Sequence, residues 1–227
     1  GEYKPKKGSE ILMSSMQRQD NRVKRACIRS LSSYKTKEVK NFLFETMMTA
    51  DNDYTVNDAY KTLFAVDSAA ADSLYDWAMK QDSHRDMIRK SAIRSLRNNN
   101  ESNYKRLKVL LEYGTAPWSC RSTVVSTIGE HTKIHPELIS TFEELLFDPN
   151  RDVRTTAARL LSRHGDESQV TKLENLIIRD PITERYVTPM VARLKGEEPT
   201  TKPIPSLKHE LLEIRDRIDK LIKTQQD

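Results

Sequence analysis

The sequence repeats itself about every 33 residues, and that period decides what the chain can fold into. An apolar residue followed by others four and eight places on recurs as Val23, Cys27 and Leu31, then Val56, Tyr60 and Phe64, then Ile88, Ala92 and Leu96. Cys120, Val124 and Ile128 follow, and then Val153, Ala157 and Leu161; Tyr186, Met190 and Leu194 make a weaker sixth set. The first members stand 33, 32, 32, 33 and 33 residues apart. Steps of four and eight keep side chains on one face of an α-helix, so each set predicts the buried stripe of one helix, called A. Second amphipathic runs, called B, are expected over 36–49, 68–80, 102–113, 136–147 and 167–178. Val39, Leu43 and Met47 mark one of them; Leu138, Phe142 and Leu145 mark another. No long stretch alternates with period two, so no sheet is expected. A single helix pair cannot cover its own apolar face, whereas stacked pairs build one continuous core. The expected fold is therefore an all-α solenoid.

Punctuation places the cuts. Ser83-His84-Arg85-Asp86 has capping-box spacing ahead of the third A helix. Pro117 and Pro136 stand where a first helical residue belongs, because a missing N–H goes unmissed there. Gly114, Gly129 and Gly165 fall just past helix ends, where a left-handed residue is wanted. The run Glu10–Met16 reads as a B helix whose own A helix would precede Gly1. With no initiator Met, this suggests a piece of a longer chain. The expected divisions are a leading helix of an incomplete repeat over 1–19, five to six two-helix repeats over 20–195, a linker over 196–205 and a last helix over 206–227. Gly196, Pro199, Pro203 and Pro205 make the linker stiff and exposed. Leu207, Leu211, Ile214, Ile218 and Leu221 then step by 4, 3, 4 and 3. That heptad seam over 206–223 suits either a cap on the last repeat or a homodimer contact.

Composition agrees with a thin stack: 37% of residues are hydrophobic and 31% charged. The 38 basic and 33 acidic residues leave a net charge of +5, with a pI near 9.1. Such a small excess permits an anionic partner but does not demand one. Cys27 and Cys120 both occupy stripe positions and read as small buried residues, not as a disulfide or metal pair. This suits a reducing, cytoplasmic setting. No apolar stretch approaches the roughly 20 residues that span a bilayer, and no signal peptide is seen, so no membrane partner is expected.

Asp152-Val153-Arg154, Ala157-Ala158, Leu161 and Gly165-Asp166 follow the general HEAT signature, and resemble the PBS-lyase-like class of HEAT repeats. Two further strings are Gln81-Asp82-Ser83-His84-Arg85-Asp86-Met87-Ile88-Arg89 and Leu110-Leu111-Glu112-Tyr113-Gly114-Thr115-Ala116-Pro117, with Arg121 one turn later. From about Asp20 to Leu194 the chain resembles the C-terminal HEAT region of bacterial and archaeal gluzincin zinc aminopeptidases, the aminopeptidase N family. The resemblance implies a right-handed α-α superhelix of armadillo-like type, and the helix over 206–227 is expected to cap it. It also implies a role in walling the substrate chamber of a catalytic domain that precedes it. That family's His-Glu-x-x-His motif, downstream Glu and Gly-x-Met-Glu-Asn loop are missing from this chain. No catalytic or metal-binding residue is carried over, and zinc is expected only in the catalytic domain of a parent protein.

The remaining candidates favour structural roles. His131 and His135 have a spacing that can bind zinc on a helix. Lys133 between them and Pro136 after them favour a solvated loop pair instead. His84, His164 and His209 are isolated near helix ends or charged runs. Arg89, Arg121 and Arg154 each follow an A-stripe anchor, as Lys24 does, while Asp20, Asp53, Asp86 and Asp152 precede A helices. In solenoids such positions form a ladder between neighbouring repeats; a basic stripe for phosphate is the alternative, weakened by the interleaved acids. Trp77 reads as core, and Trp118, after Pro117, as a surface contact. Phosphate loops, Cys-x-x-Cys pairs and nucleophile elbows are missing. Three functions fit: an accessory module of a zinc metallopeptidase, a free-standing HEAT scaffold for protein partners, and, not favoured, a DNA-binding HEAT-like protein.

Overall fold

The computed structural model describes residues 7–16, 20–98, 100–197 and 215. No strand is present among them. The helices are α1 (Gly8–Ser15), α2 (Asn21–Ser30), α3 (Lys37–Thr49), α4 (Asp53–Val66), α5 (Ser68–Ser73), α6 (Tyr75–Lys80) and α7 (Met87–Ser95). They continue as α8 (Glu101–Leu111), α9 (Arg121–Ile128), α10 (Leu138–Leu145), α11 (Arg151–His164), α12 (Val170–Arg179) and α13 (Glu184–Leu194). The five strong A stripes lie on α2, α4, α7, α9 and α11, or within a residue of their ends. The B runs become α3, the split pair α5–α6, α8, α10 and α12. The expected seam over 206–223 and the linker beyond residue 197 lie outside the described residues, Arg215 excepted.

The chain groups into two compact units, Gly1–His164 and Gly165–Asp227. This boundary falls inside the stretch expected as one run of repeats. In the first unit α2, α4, α7, α9 and α11 pack in succession, and each also packs on the B helix immediately before it. The two-helix unit in space therefore runs from a B helix into the A helix that follows. By that pairing α1, expected as the leftover half of a repeat, is the partner of α2. In the second unit α12 packs on α13 in the same way.

Double packing explains why the A helices bury more than one stripe. Ala59 and Tyr60, Ala92 and Ile93, Val124 and Val125, and Ala157 and Ala158 are adjacent pairs, all fully buried. Adjacent residues point 100° apart on a helix, so both the neighbouring A helix and the B helix are served. B helices bury single stripes such as Val39, Leu43 and Met47, or Leu138 and Phe142. Side-chain caps set the starts: Asp20, Thr36, Asn52, Asp67 and Asn100 accept from backbone N–H groups of α2, α3, α4, α5 and α8.

Three local expectations are corrected. The sixth stripe is one residue out of register: Val187 and Val191 are buried, while Tyr186 is 42% exposed. Apolar residues stand in both registers there, and a one-residue shift turns the buried face by 100°. No capping box forms at Ser83. Arg85 and Asp86 instead adopt left-handed conformations, with φ of 53° and 54°, and the Ser83 hydroxyl accepts from Ile88 N–H at 3.2 Å. Gly114 does turn left-handed, with φ of 87°. Gly129 stays right-handed at −58°; it is glycine because a Cβ would overlap the methyl groups of buried Leu160 on α11. Gly129→Ala should lose about 1–3 kcal/mol of stability through overpacking, read from the urea midpoint. An unchanged midpoint would show that Leu160 has room to move.

Candidate interaction surface

The turns that lead from each B helix into the next A helix collect the polar residues singled out in the sequence. Asp53 accepts from the backbone N–H of His84, 31 residues on, at 2.7 Å. Asp86 accepts from the hydroxyl of Ser119, 33 residues on, and pairs with Arg89. Burial alone would raise the Asp86 carboxyl; the Ser119 hydroxyl and the Arg89 guanidinium outweigh it and hold that carboxyl below its usual range. Arg89 also donates to the Met79 carbonyl at 3.0 Å, and Arg121 to the Leu111 carbonyl at the same distance. In each case an arginine of one helix caps the negative end of the helix before it. Arg154 donates to the carbonyls of Asp148 and Pro149 at 2.8 and 3.0 Å.

Arg121 does most. Its Nε and Nη2 both donate to Asp148 Oδ2, at 2.9 and 2.7 Å. The two side chains are only 8% and 3% exposed. Arg121 thus clasps the end of α8 to the turn after α10. Asp20 caps α2, accepting from Arg22 N–H at 2.7 Å. Asp152 is exposed, and its N–H donates to the Asn150 side chain at 2.9 Å. Lys24 lines a cleft beside α1 and α3. These three stand apart from the cross-turn contacts.

Sequence reasoning missed several polar residues that make contacts between repeats: Asp58, which receives Arg25 and Arg29 at 2.8 and 3.0 Å, Ser91, which bonds Asn57 at 2.6 Å, and Asp148. Most are polar residues one repeat length from their partners. Comparing equivalent columns of successive repeats would have paired them.

His131 is corrected. It is buried, not solvated: a 3-10 turn over Gly129–His131 extends α9 and carries the imidazole Nε2 to 3.0 Å from the Leu96 carbonyl. His135 stacks on Tyr104 with ring centres 3.5 Å apart, and its Nδ1 lies 3.0 Å from Glu137 Oε1. The Tyr104 hydroxyl donates to that same oxygen at 3.0 Å. His84 is exposed and His164 half-buried, while His209 lies outside the described residues. Among the described residues, no group of three or more His, Cys, Asp or Glu side chains is placed to hold a metal ion. Cys27 and Cys120 are buried and free.

Three aromatic side chains stand out from the two turns that Arg121 clasps. Tyr113 is 69% exposed, Trp118 52% and Phe147 73%. Tyr113 and Trp118 meet edge to face at 6.5 Å, and the Arg121 guanidinium lies 5.0 Å from the Tyr113 ring centre. Trp77 is half-buried between the buried Tyr75 and Ala78.

Tyr104 and Tyr75 are both raised from 10.0 to about 12, first by burial, with Glu137 adding at Tyr104. The neutral phenol is the form the fold favours. Its stabilisation is complete below pH 10 and is lost as the pH rises through about 12. Burial raises Tyr60 as well, so absorbance titration of the eight tyrosines should show three late ones, and Tyr104→Phe should remove one of them. Eight ordinary titrations would contradict this arrangement.

The family described as HEAT repeats matches residues 105–187. No curated protein matches the chain. A solved structure of the complex of CpcE and CpcF of phycocyanin lyase from Nostoc sp. PCC7120 is similar, with a TM-score of 0.48 at 15% identity, covering 78% of this chain and 72% of that one. Among the described residues no helix is long and apolar enough to cross a membrane. The fold is an all-α solenoid with HEAT repeats over the matched residues.

Proposed function

We propose that this chain is a non-catalytic interaction module that docks another protein along the edge formed by its B-to-A turns. The observation that carries this reading is the exposed trio Tyr113, Trp118 and Phe147 on turns fixed by the buried Arg121–Asp148 pair. Large aromatic rings held in place before binding lose little entropy on docking, and they dominate the energetics of protein interfaces. The histidines support a structural role, since His131 and His135 are taken up in packing, stacking and hydrogen bonding.

A zinc aminopeptidase catalytic domain is the partner that the sequence resemblance implies. Its support is the two strings around Asp86 and Gly114. Both strings build turns: the first holds the left-handed Arg85 and Asp86, the second the left-handed Gly114. Such residues answer to the fold, so a general protein partner is the reading better supported.

The test is a paired affinity isolation with the wild-type chain and Trp118→Ala/Tyr113→Ala, followed by calorimetry with each purified partner. Loss of about 2–4 kcal/mol of binding in the variant, the range of interface hot spots, with an unchanged unfolding midpoint, is the expected result. Equal affinity for both chains would contradict the edge. Zinc-dependent aminopeptidase activity in the recovered partner would identify it as the one the resemblance implies.

A further inference from the structure

Several cations in the first unit have a carboxylate to meet. Arg25 and Arg29 share Asp58, Lys40 meets Asp67, Arg89 meets Asp86 and Arg121 meets Asp148; on the surface, Arg106 meets Asp72. Three exposed cations converge without one. Lys61 on α4, and Arg94 and Arg97 at the end of α7, line a cleft of about 430 Å³ that contains no Asp or Glu. Among the described residues none of the three forms an ion pair. With the Asn57 amide turned so that its nitrogen donates to Ser91 and to the Met87 carbonyl, its oxygen accepts from Lys61 Nζ at 3.2 Å. That partner is neutral and leaves the charge uncompensated.

The walls are of another kind. Phe64 and the buried Tyr60 supply an apolar side, and Ser95 a hydroxyl. An apolar-walled cleft rimmed by one sign of charge concentrates ligands of the opposite sign. The basic field is also short. Arg25 and Arg29 on α2 are taken up by Asp58 of α4, and the adjoining cleft carries Asp72, which holds Arg106. A nucleic-acid duplex needs cations that continue along its phosphates. One cleft with three charges and an apolar wall fits a few residues of peptide instead.

We infer that the cleft between α4 and α7 binds an acidic peptide segment of a protein partner, an apolar side chain lying against Phe64 while flanking carboxylates meet Lys61, Arg94 and Arg97. This deepens the proposed role in protein binding and rests on it. The cleft and the aromatic edge share no residue, so a failure at the cleft leaves the Trp118 result to decide the broader reading.

The probe is a fluorescein-labelled peptide, Glu-Asp-Glu-Phe-Asp-Glu-Asp, titrated with the full chain and followed by anisotropy. Saturable binding is expected, weakened about tenfold or more in Arg94→Glu/Arg97→Glu, as for charge pairs at interfaces. Arg94→Gln/Arg97→Gln should lose less, and Lys35→Glu/Lys133→Glu, with the same change in net charge, should bind as wild type. Urea midpoints establish that each variant is folded. Three results would overturn the proposal: no saturable binding by the folded wild type, equal loss in both charge-reversal variants, or tighter binding of a 20-base-pair DNA duplex than of the peptide.

Discussion

A guanidinium withdrawn from water must find acceptors for its N–H groups, and Arg121 finds them on two turns at once. Its fork reaches a carboxylate at one end and the last turn of a helix at the other. Neither α8 nor the turn after α10 can shift without stranding a buried charge, an expensive outcome in a low-dielectric interior. The middle of the first unit is therefore fixed at its turns as well as through its apolar core. Hydrophobic stripes tolerate sliding, since one leucine replaces another at little cost. A bifurcated ion pair does not, and it sets the register in which helices meet.

That division of labour bears on function. The core side of each A helix is committed to its neighbours, leaving the turns and the outer helix faces to meet other molecules. The aromatic trio stands on the turns that Arg121 holds. The cleft between α4 and α7 opens where A helices meet and is lined by cations that no carboxylate of the described residues pairs with. Both features belong to a surface held in shape before any partner arrives.

Much of this was legible in the sequence, and what was not has physical reasons. The 33-residue period located every A stripe on or next to a helix because burial imposes a 3.6-residue rhythm that survives substitution. It failed at Tyr186, where valines one place on compete for the same face. Arg89 and Arg121 were recognisable by their position after the stripe anchors; their acceptors were not, because Met79 and Leu111 contribute only backbone carbonyls, which carry no sequence signal. Asp148 was passed over for Asp152, four residues on, since only the folded turn reveals which acid faces the guanidinium. His131 looked exposed beside Lys133 and Pro136. The 3-10 extension of α9 that buries it depends on packing against α7, a contact from 35 residues away. Unneutralised charge is equally invisible in one dimension, because it is defined by what lies across the groove.

A double-mutant cycle on Arg121 and Asp148, read by urea unfolding, tests the turn clasp most directly. Asp148→Ala alone should lose about 3–5 kcal/mol, because it leaves a buried cation without its partner. Arg121→Met combined with Asp148→Leu should lose far less than the two single changes together. Single losses below about 1 kcal/mol, the range of a surface pair, or strict additivity between the two sites, would show that the apolar core alone fixes the stack.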